Sequence, residues 1–335
     1  MRAFDYDLFV LGGGSGGVRA ARVAAQHGAK TAIAEEYRFG GTCVVRGCIP
    51  KKLFVYAAEV KREIEDARGF GWTIAGTTFD WSVLRARTDK EIARLSGVYI
   101  ELLRKSGVAL RSEHAYLDDP HTVVVGDKRV TAAHILIATG GRPVLPPVPG
   151  IEHAISSNEV FHLDTLPQTI AIIGGGYIAV EFAGILAALG CQVVLLYRRP
   201  KLLYGFDRDV RDHVALGLER QGVALCPEQQ VTAIHKDGAG RLRLTLGRGG
   251  ERIVDQLLCA AGRTPNTAGL GLDRAGVKLG VYGAVVVDAY GRTNQPHIGA
   301  VGDVTYRVQL TPVAIREGQA WADTIFGGTP TAVDR

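Results

Sequence analysis

The sequence predicts an α/β protein built from two copies of one strand, glycine turn, helix, strand unit, the second copy inserted into the lobe that the first begins. Three observations predict it. An apolar run over residues 5–11 ends in a glycine cluster and is followed by an alanine-rich stretch of helical period. The same order returns with Gly174 standing 162 residues after Gly12. And 335 residues are too many for one ordinary domain of about 100–200 residues.

In the first copy Gly12, Gly14 and Gly17 stand at G-x-G-x-x-G spacing. The first permits a tight turn, the second lets backbone approach a pyrophosphate, and the third lets helix and strand pack closely. The helix N-terminus that follows offers its positive end to the same group. A second strand over residues 30–34 ends at Glu35, 23 residues after Gly12, where an acid accepts the ribose hydroxyls of an adenine dinucleotide. This is the order of a Rossmann-like dinucleotide-binding domain.

Next comes Gly40-Gly41-Thr42-Cys43, with Cys48 five residues beyond Cys43. With a helix beginning near Thr42, such a pair is bridged only by distorting the turn, which makes a disulfide strained and readily reduced. Lying directly after the first nucleotide unit, it could face a flavin ring. Metal binding is the competing reading, although no second Cys or His pair at ligand spacing accompanies it. Cys191, Cys226 and Cys259 read as small core residues.

A β-type run over 135–138 is stopped by Thr139-Gly140-Gly141, and the proline-rich stretch 142–150 reads as a linker. The second copy has a strand over 170–173, Gly174, Gly176 and Ala179 at G-x-G-x-x-A spacing, a helix through Ala188 and a strand over 192–196. Where the acid would stand there is Tyr197, followed by Arg198 and Arg199. Paired arginines clamp a 2′-phosphate that an acid would repel, so this copy suits the phosphorylated nicotinamide cofactor; two solvated arginines are the plain alternative. The lobe closes near residues 260–263. Strand-like patterning resumes over 284–287 and 298–303, where Asp303 after a tight glycine turn could bind ribityl hydroxyls or be a plain loop aspartate. The expected domains are 1–147 and 264–335 for the flavin nucleotide, with 148–263 inserted for the nicotinamide nucleotide.

Composition narrows the functions. Hydrophobic residues at 47% and charged residues at 22% exclude a mostly disordered chain. The net charge of +5 is scattered, which argues against nucleic acid. The apolar stretch 170–197 is broken by Glu181 and five glycines and does not read as a membrane span. No signal peptide is visible at the start, so the cytoplasm is expected. Five cysteines, an odd number, argue against a structural disulfide framework.

Together the two glycine units, Gly-Gly-Thr-Cys-x4-Cys-x-Pro and the late Gly302-Asp303 resemble the flavoprotein disulfide reductases, the class I pyridine nucleotide-disulfide oxidoreductases, over essentially the whole chain. Pro50-Lys51-Lys52, the run 176–181 and the run 310–314 resemble its glutathione reductase branch; lipoamide dehydrogenases and mercuric reductases typically have Pro-Ser-Lys at 50–52.

The resemblance implies FAD held by Gly12, Gly14, Ser15, Gly16, Gly17, Glu35, Thr42, Cys43, Lys51, Ala115, Thr139, Gly140, Asp303 and Thr311. It implies NADPH held by Gly174, Gly175, Gly176, Ile178, Ala179, Glu181, Arg198, Arg199 and Gly262. Tyr177 would be pushed aside by the nicotinamide, and Lys51, paired with Glu181, would stabilise the reduced flavin. Cys48 would lie beside the flavin and Cys43 would attack glutathione disulfide, with Ser15, Arg22 and Tyr99 contacting that substrate. Two positions depart from the pattern: Tyr204 stands where a second phosphate-binding arginine is usual, and Gln319 where a glutathione-binding arginine is usual, a role Arg316 could take. Members of the family are homodimers through a C-terminal dimerisation domain that supplies a His–Glu pair to the neighbouring subunit. That domain is not recognised here, and no His follows His297. The expectation is a chain that does not dimerise in that way and reduces glutathione disulfide slowly, with His114, His121 and His297 as substitute acids. A flavin- and nicotinamide-binding module without turnover, and an NADH-linked lipoamide-type dehydrogenase, are the competing readings; the latter predicts an acid in place of Arg198 and Arg199.

Overall fold

The computed structural model describes residues 4–334. They form two compact units. One gathers the residues up to Cys48, Glu91–Arg142 and those from Thr264 onward; the other gathers Ile49–Lys90 and Pro143–Arg263.

The first unit is built on a parallel sheet. Its strands run in the order Ala109–Arg111, Thr31–Ala34, Tyr6–Leu11, Lys128–Ile137 and Ile298–Ala300, and Thr122–Val125 and Ala115–Leu117 continue it antiparallel. Strand Tyr6–Leu11 lies at the centre, and its apolar run has a direct reason. Phe9 and Leu11 pack on one face with Ile135 and Ile137, while Leu8 and Val10 pack on the other with Val18, Ala21 and Trp321. Side chains alternate faces along a strand, so a strand covered on both sides must be apolar throughout. Helices Ser15–Gln26 and Thr311–Phe326 cover the second face.

The second unit repeats the plan with the parallel order Ala224–Pro227, Gln192–Tyr197, Thr169–Ile173, Gln256–Cys259 and Ile155–Ser156. A separate antiparallel sheet joins Val231–Lys236, Leu242–Leu246 and Glu251–Val254. Its core holds an aromatic chain in which Phe54 meets Trp81 and Phe161 at 5.1 and 5.4 Å, and Phe161 meets Phe182 at 5.5 Å. Trp81 also donates its indole N–H to Leu163 O at 2.7 Å.

These contacts draw Ile49–Lys90 into the second unit, so the units differ from the expected division at 147/148. The strand expected over 284–287 also does not form. Only an isolated bridge pairs Val285 with Leu279, because the neighbouring backbone bonds go to irregular segments: Val285 N–H donates to Val304 O and Val286 N–H to Lys278 O.

The internal repeat is reproduced in the backbone. Helices Ser15–Gln26 and Tyr177–Ala188 are both 12 residues long. Gly12 and Gly174 have φ of +105° and +142°, and a Cβ on either would strike a carbonyl oxygen, Ala138 O in one copy and Ala260 O in the other. Only glycine serves there. At the third position a Cβ on Gly17 would strike Gly12 O, whereas the second copy accommodates the Cβ of Ala179.

Candidate active site

Gly14 is the N-cap of helix Ser15–Gln26 and no side chain caps it. The first-turn N–H groups of Ser15, Gly16 and Gly17 are therefore donors without intrahelical partners, the arrangement that receives a diphosphate. Opposite, a Cβ on Gly41 would come within 2.6 Å of Gly14 Cα, so the two backbones form a cradle free of side chains. Glu35 Oε2 accepts the Gly13 N–H at 2.8 Å and Oε1 accepts the Tyr37 N–H at 2.9 Å. Each oxygen keeps a lone pair for ribose hydroxyls. These features fit an adenine dinucleotide.

Other expected flavin contacts gather at the C-terminal ends of the parallel strands. Thr139 Oγ1 donates to Asn266 O at 2.7 Å, and Asn266 N–H donates to Gly140 O at 2.9 Å. Asp303 lies in the 3-10 turn Gly302–Thr305, which follows strand Ile298–Ala300 and approaches Gly141. Ala115 is buried at the start of its hairpin strand. A residue missed by sequence reading is Glu317: buried in helix Thr311–Phe326, it accepts the Gly302 N–H at 2.7 Å and so fixes the turn that carries Asp303. Its signal was an acid within a run otherwise rich in Ala and Gly.

Cys43 belongs to helix Gly41–Arg46, and Cys48 opens helix Cys48–Asp66. The expected distorted helix is in fact two helices with Gly47 between them. Cys48 is exposed and Cys43 half-buried. A hydrogen bond with Cys48, and then burial, push the Cys43 thiol well above its ordinary value. Thr311 Oγ1 lies 3.8 Å from Cys48 Sγ. Thr42 adjoins the pair in sequence, and the buried Val44 and Val45 pack against Ile92, Leu95 and Tyr99.

Arg22 and Tyr99 join this group. Burial and then the Cys43 thiol raise the Tyr99 phenol, while Arg22 acts in the opposite sense. Arg22 Nε is buried without a hydrogen-bond partner, as is Gln319 Oε1. Gln319 Nε2 donates to Asp323 Oδ2 at 2.7 Å, while Arg316 is exposed. His114 pairs with Glu36 at 2.7 Å, and His121 and His297 stack on each other and donate to Ala132 O and Pro120 O. Both rings thus spend an N–H on structure.

In the second unit Gly176 caps helix Tyr177–Ala188 without a side chain, leaving the first-turn N–H groups of Ile178 and Ala179 for an anion. Tyr177 is exposed above the turn of Gly174 and Gly175. One helical turn on, Glu181 Oε1 accepts from Lys51 Nζ at 2.9 Å. Lys51, expected beside the flavin, belongs to this unit. Arg198 and Arg199 are exposed at the end of strand Gln192–Tyr197. Gly262, at φ +137°, has open space where a Cβ would be and accepts the Val144 N–H at 3.0 Å.

Two side-chain-free glycine turns and a dithiol define a pyridine nucleotide-linked disulfide oxidoreductase. The chain belongs to the pyridine nucleotide-disulphide oxidoreductase family, which matches residues 6–318. It is 53% identical over 328 residues to a glutathione reductase of Burkholderia cepacia, covering 98% of this chain and 73% of that protein. It is 49% identical over 336 residues to a glutathione reductase of Nostoc sp., covering 97% and 73%. A chloroplastic/mitochondrial glutathione reductase of Pisum sativum is 44% identical over 344 residues, covering 99% and 62%. FAD and NADPH are the cofactors of the glutathione reductases. Among the described residues no helix is long and apolar enough to cross a membrane.

Proposed function

We propose that this chain reduces glutathione disulfide with NADPH through FAD and the Cys43–Cys48 dithiol. The observation that carries the proposal is the pair Cys43 and Cys48 in the two helices that follow the first glycine turn, with Tyr99 packed against Val44 and Val45 next to Cys43 in the chain. The names of the relatives in Burkholderia and Nostoc support the same substrate.

The residues act as follows. Gly12, Gly14, Ser15, Gly16, Gly17, Glu35 and Gly41 hold the adenine, ribose and diphosphate portion of FAD, with Thr42, Ala115, Thr139, Gly140, Asp303 and Thr311 along the remainder. Gly174 to Ala179 and Gly262 hold the NADPH diphosphate, and Arg198 and Arg199 its 2′-phosphate. Tyr177 covers the nicotinamide position, and Lys51, charge-paired with Glu181, is the cation for the reduced cofactor. The bound flavin supplies the two-electron transfer that regenerates the dithiol from its disulfide.

The dithiol reacts as a monoanion with one proton shared between Cys43 and Cys48. Passage of that proton to Cys48 frees the Cys43 sulfur to attack one sulfur of glutathione disulfide. The disulfide bond breaks, a mixed disulfide forms, and one glutathione leaves as thiolate. It takes the proton from Cys48, whose sulfur then attacks Cys43 Sγ, closing the Cys43–Cys48 disulfide and expelling the second glutathione. Two electrons have left the pair for the substrate. Arg22 suits a substrate carboxylate. The cytoplasm, which keeps thiols reduced, suits a chain with three further free cysteines.

The test is thiol counting. NADPH added anaerobically to the FAD-loaded protein should expose two additional reactive thiols per chain, and glutathione disulfide should remove them. Thiols that form with NADPH but persist in glutathione disulfide, and are consumed by lipoamide instead, would sink the substrate assignment.

A further inference from the structure

We infer that Tyr204 is a positioning residue for the 2′-phosphate of the nicotinamide cofactor, acting by holding the Arg199 guanidinium flat on its ring. The inference rests on reading the second glycine turn as the NADPH site.

The segment after strand Gln192–Tyr197 is fixed at both ends. Gln229 N–H donates to Tyr197 O at 3.0 Å and Glu228 N–H to Arg199 O at 3.3 Å, so the backbone leaving the sheet is held. The chain then returns to the glycine turn, where Leu203 N–H donates to Gly175 O at 2.7 Å. Leu202 and Leu203 are buried in the core of the unit. Leu203 sits at φ +52°, a left-handed conformation that a leucine rarely adopts and that here is held by the anchored loop. Its consequence is the direction of the next residue. Tyr204 emerges 69% exposed, and Arg199 Cζ lies 3.6 Å from its ring centroid.

Neighbouring cations are engaged elsewhere. Lys201 is paired with Asp212 at 2.7 Å, Arg208 approaches the same carboxylate at 3.9 Å, and Arg211 donates to Leu202 O at 2.6 Å. Arg198 and Arg199 have no carboxylate partner among the described residues, and Tyr197 before them packs on Gly175 in the turn that opens helix Tyr177–Ala188, whose N-terminus attracts anions. Stacking occupies only the face of a guanidinium. Its N–H donors lie in the plane and point outward, in the fork that matches two phosphate oxygens. The ring thus orders a long side chain before the ligand arrives, removing part of the ordering cost of binding.

The test uses adenosine 2′,5′-bisphosphate and adenosine 5′-monophosphate as probes, with affinities measured by titration calorimetry, which needs neither flavin nor turnover. Tyr204→Ala should weaken the bisphosphate about two- to fivefold, the range of an exposed cation–π contact, and leave the monophosphate unchanged. Tyr204→Phe should bind as the parent does, because the ring and not the hydroxyl is used. Arg199→Ala should weaken the bisphosphate further, and adding Tyr204→Ala to it should cost nothing more. Equal losses for both probes would mean that the ring stacks on adenine, and additive losses would mean that it acts independently of Arg199; either overturns the inference while leaving the NADPH reading intact. A parent chain that does not prefer the bisphosphate, or that keeps its preference in Arg198→Ala and Arg199→Ala, overturns the reading beneath it as well.

Discussion

Lys51 Nζ lies 2.9 Å from Glu181 Oε1, which pairs the first turn of helix Cys48–Asp66 with the first half of helix Tyr177–Ala188. Neither side chain is deeply buried, at 25% and 39% exposed. A partly solvated pair of this kind contributes about 0–1 kcal/mol to stability. Its worth lies in the place it gives the ammonium.

Lys51→Met should therefore lower stability by no more than about 1 kcal/mol in urea unfolding. The rate of reduction by NADPH should fall on the order of 10²-fold, the usual effect of removing one charge-stabilising group. Glu181→Gln, which leaves the cation but frees it, should fall between variant and parent. A large loss of stability with an unchanged reduction rate would make the pair structural.

A second prediction concerns the thiols. The hydrogen bond with Cys48 is the largest cause of the raised Cys43 thiol, followed by burial. Cys48→Ser removes that sulfur partner, so Cys43 should titrate closer to its ordinary 9.0 while burial still holds it up. Alkylation by iodoacetamide should then begin at lower pH in Cys48→Ser than at Cys43 of the parent dithiol. Glutathione disulfide reduction should be lost in both Cys43→Ser and Cys48→Ser, since each exchange step needs the other sulfur. An unchanged alkylation profile would show that burial alone sets Cys43.

The repeat was legible because its signal is local. Gly12 and Gly174 are demanded by a turn whose clash partners, Ala138 O and Ala260 O, come directly after the adjacent parallel strand in each copy. The cysteine spacing was equally local, although the break at Gly47 between two helices was not foreseen. What escaped depends on distant partners. Phe54 and Trp81 pack with Phe161 and Phe182 far along the chain, and nothing in the period of residues 49–90 says so. The same holds for Glu317 on Gly302 and for the Arg199–Tyr204 stack, since in the sequence Tyr204 shows only as an absent arginine.

The two copies should differ in tolerance at their third glycine position. Gly17→Ala places a Cβ against Gly12 O, a backbone atom that cannot yield, and overpacking of this kind costs about 1–3 kcal/mol. Ala179→Gly removes a methyl that already fits and should cost about 1 kcal/mol through helix propensity. Urea midpoints of the two variants decide the matter. Equal effects would mean that the helices stand at the same distance from their strands.

Acid should destabilise the first unit through its histidines. His121 and His297 stack with centroids 3.9 Å apart and planes 17° from parallel. Burial, then His297 and His121, lower His134 below its ordinary 6.5, with Asp7 opposing; burial, then His121, lower His297. Both fold in the neutral form, so the unfolded chain binds their protons more readily than the native one. Their contribution is complete above about pH 6.5 and is lost progressively as pH falls from there through their lowered native values. His134 Nδ1 is buried without a hydrogen-bond partner, and its ring meets Phe326 at 5.5 Å, so Phe is a tolerable replacement. The melting temperature of the parent should drop between about pH 7 and about pH 5, and His134→Phe and His297→Phe should each flatten that drop. Identical slopes in all three proteins would show that carboxylates elsewhere govern the acid limb.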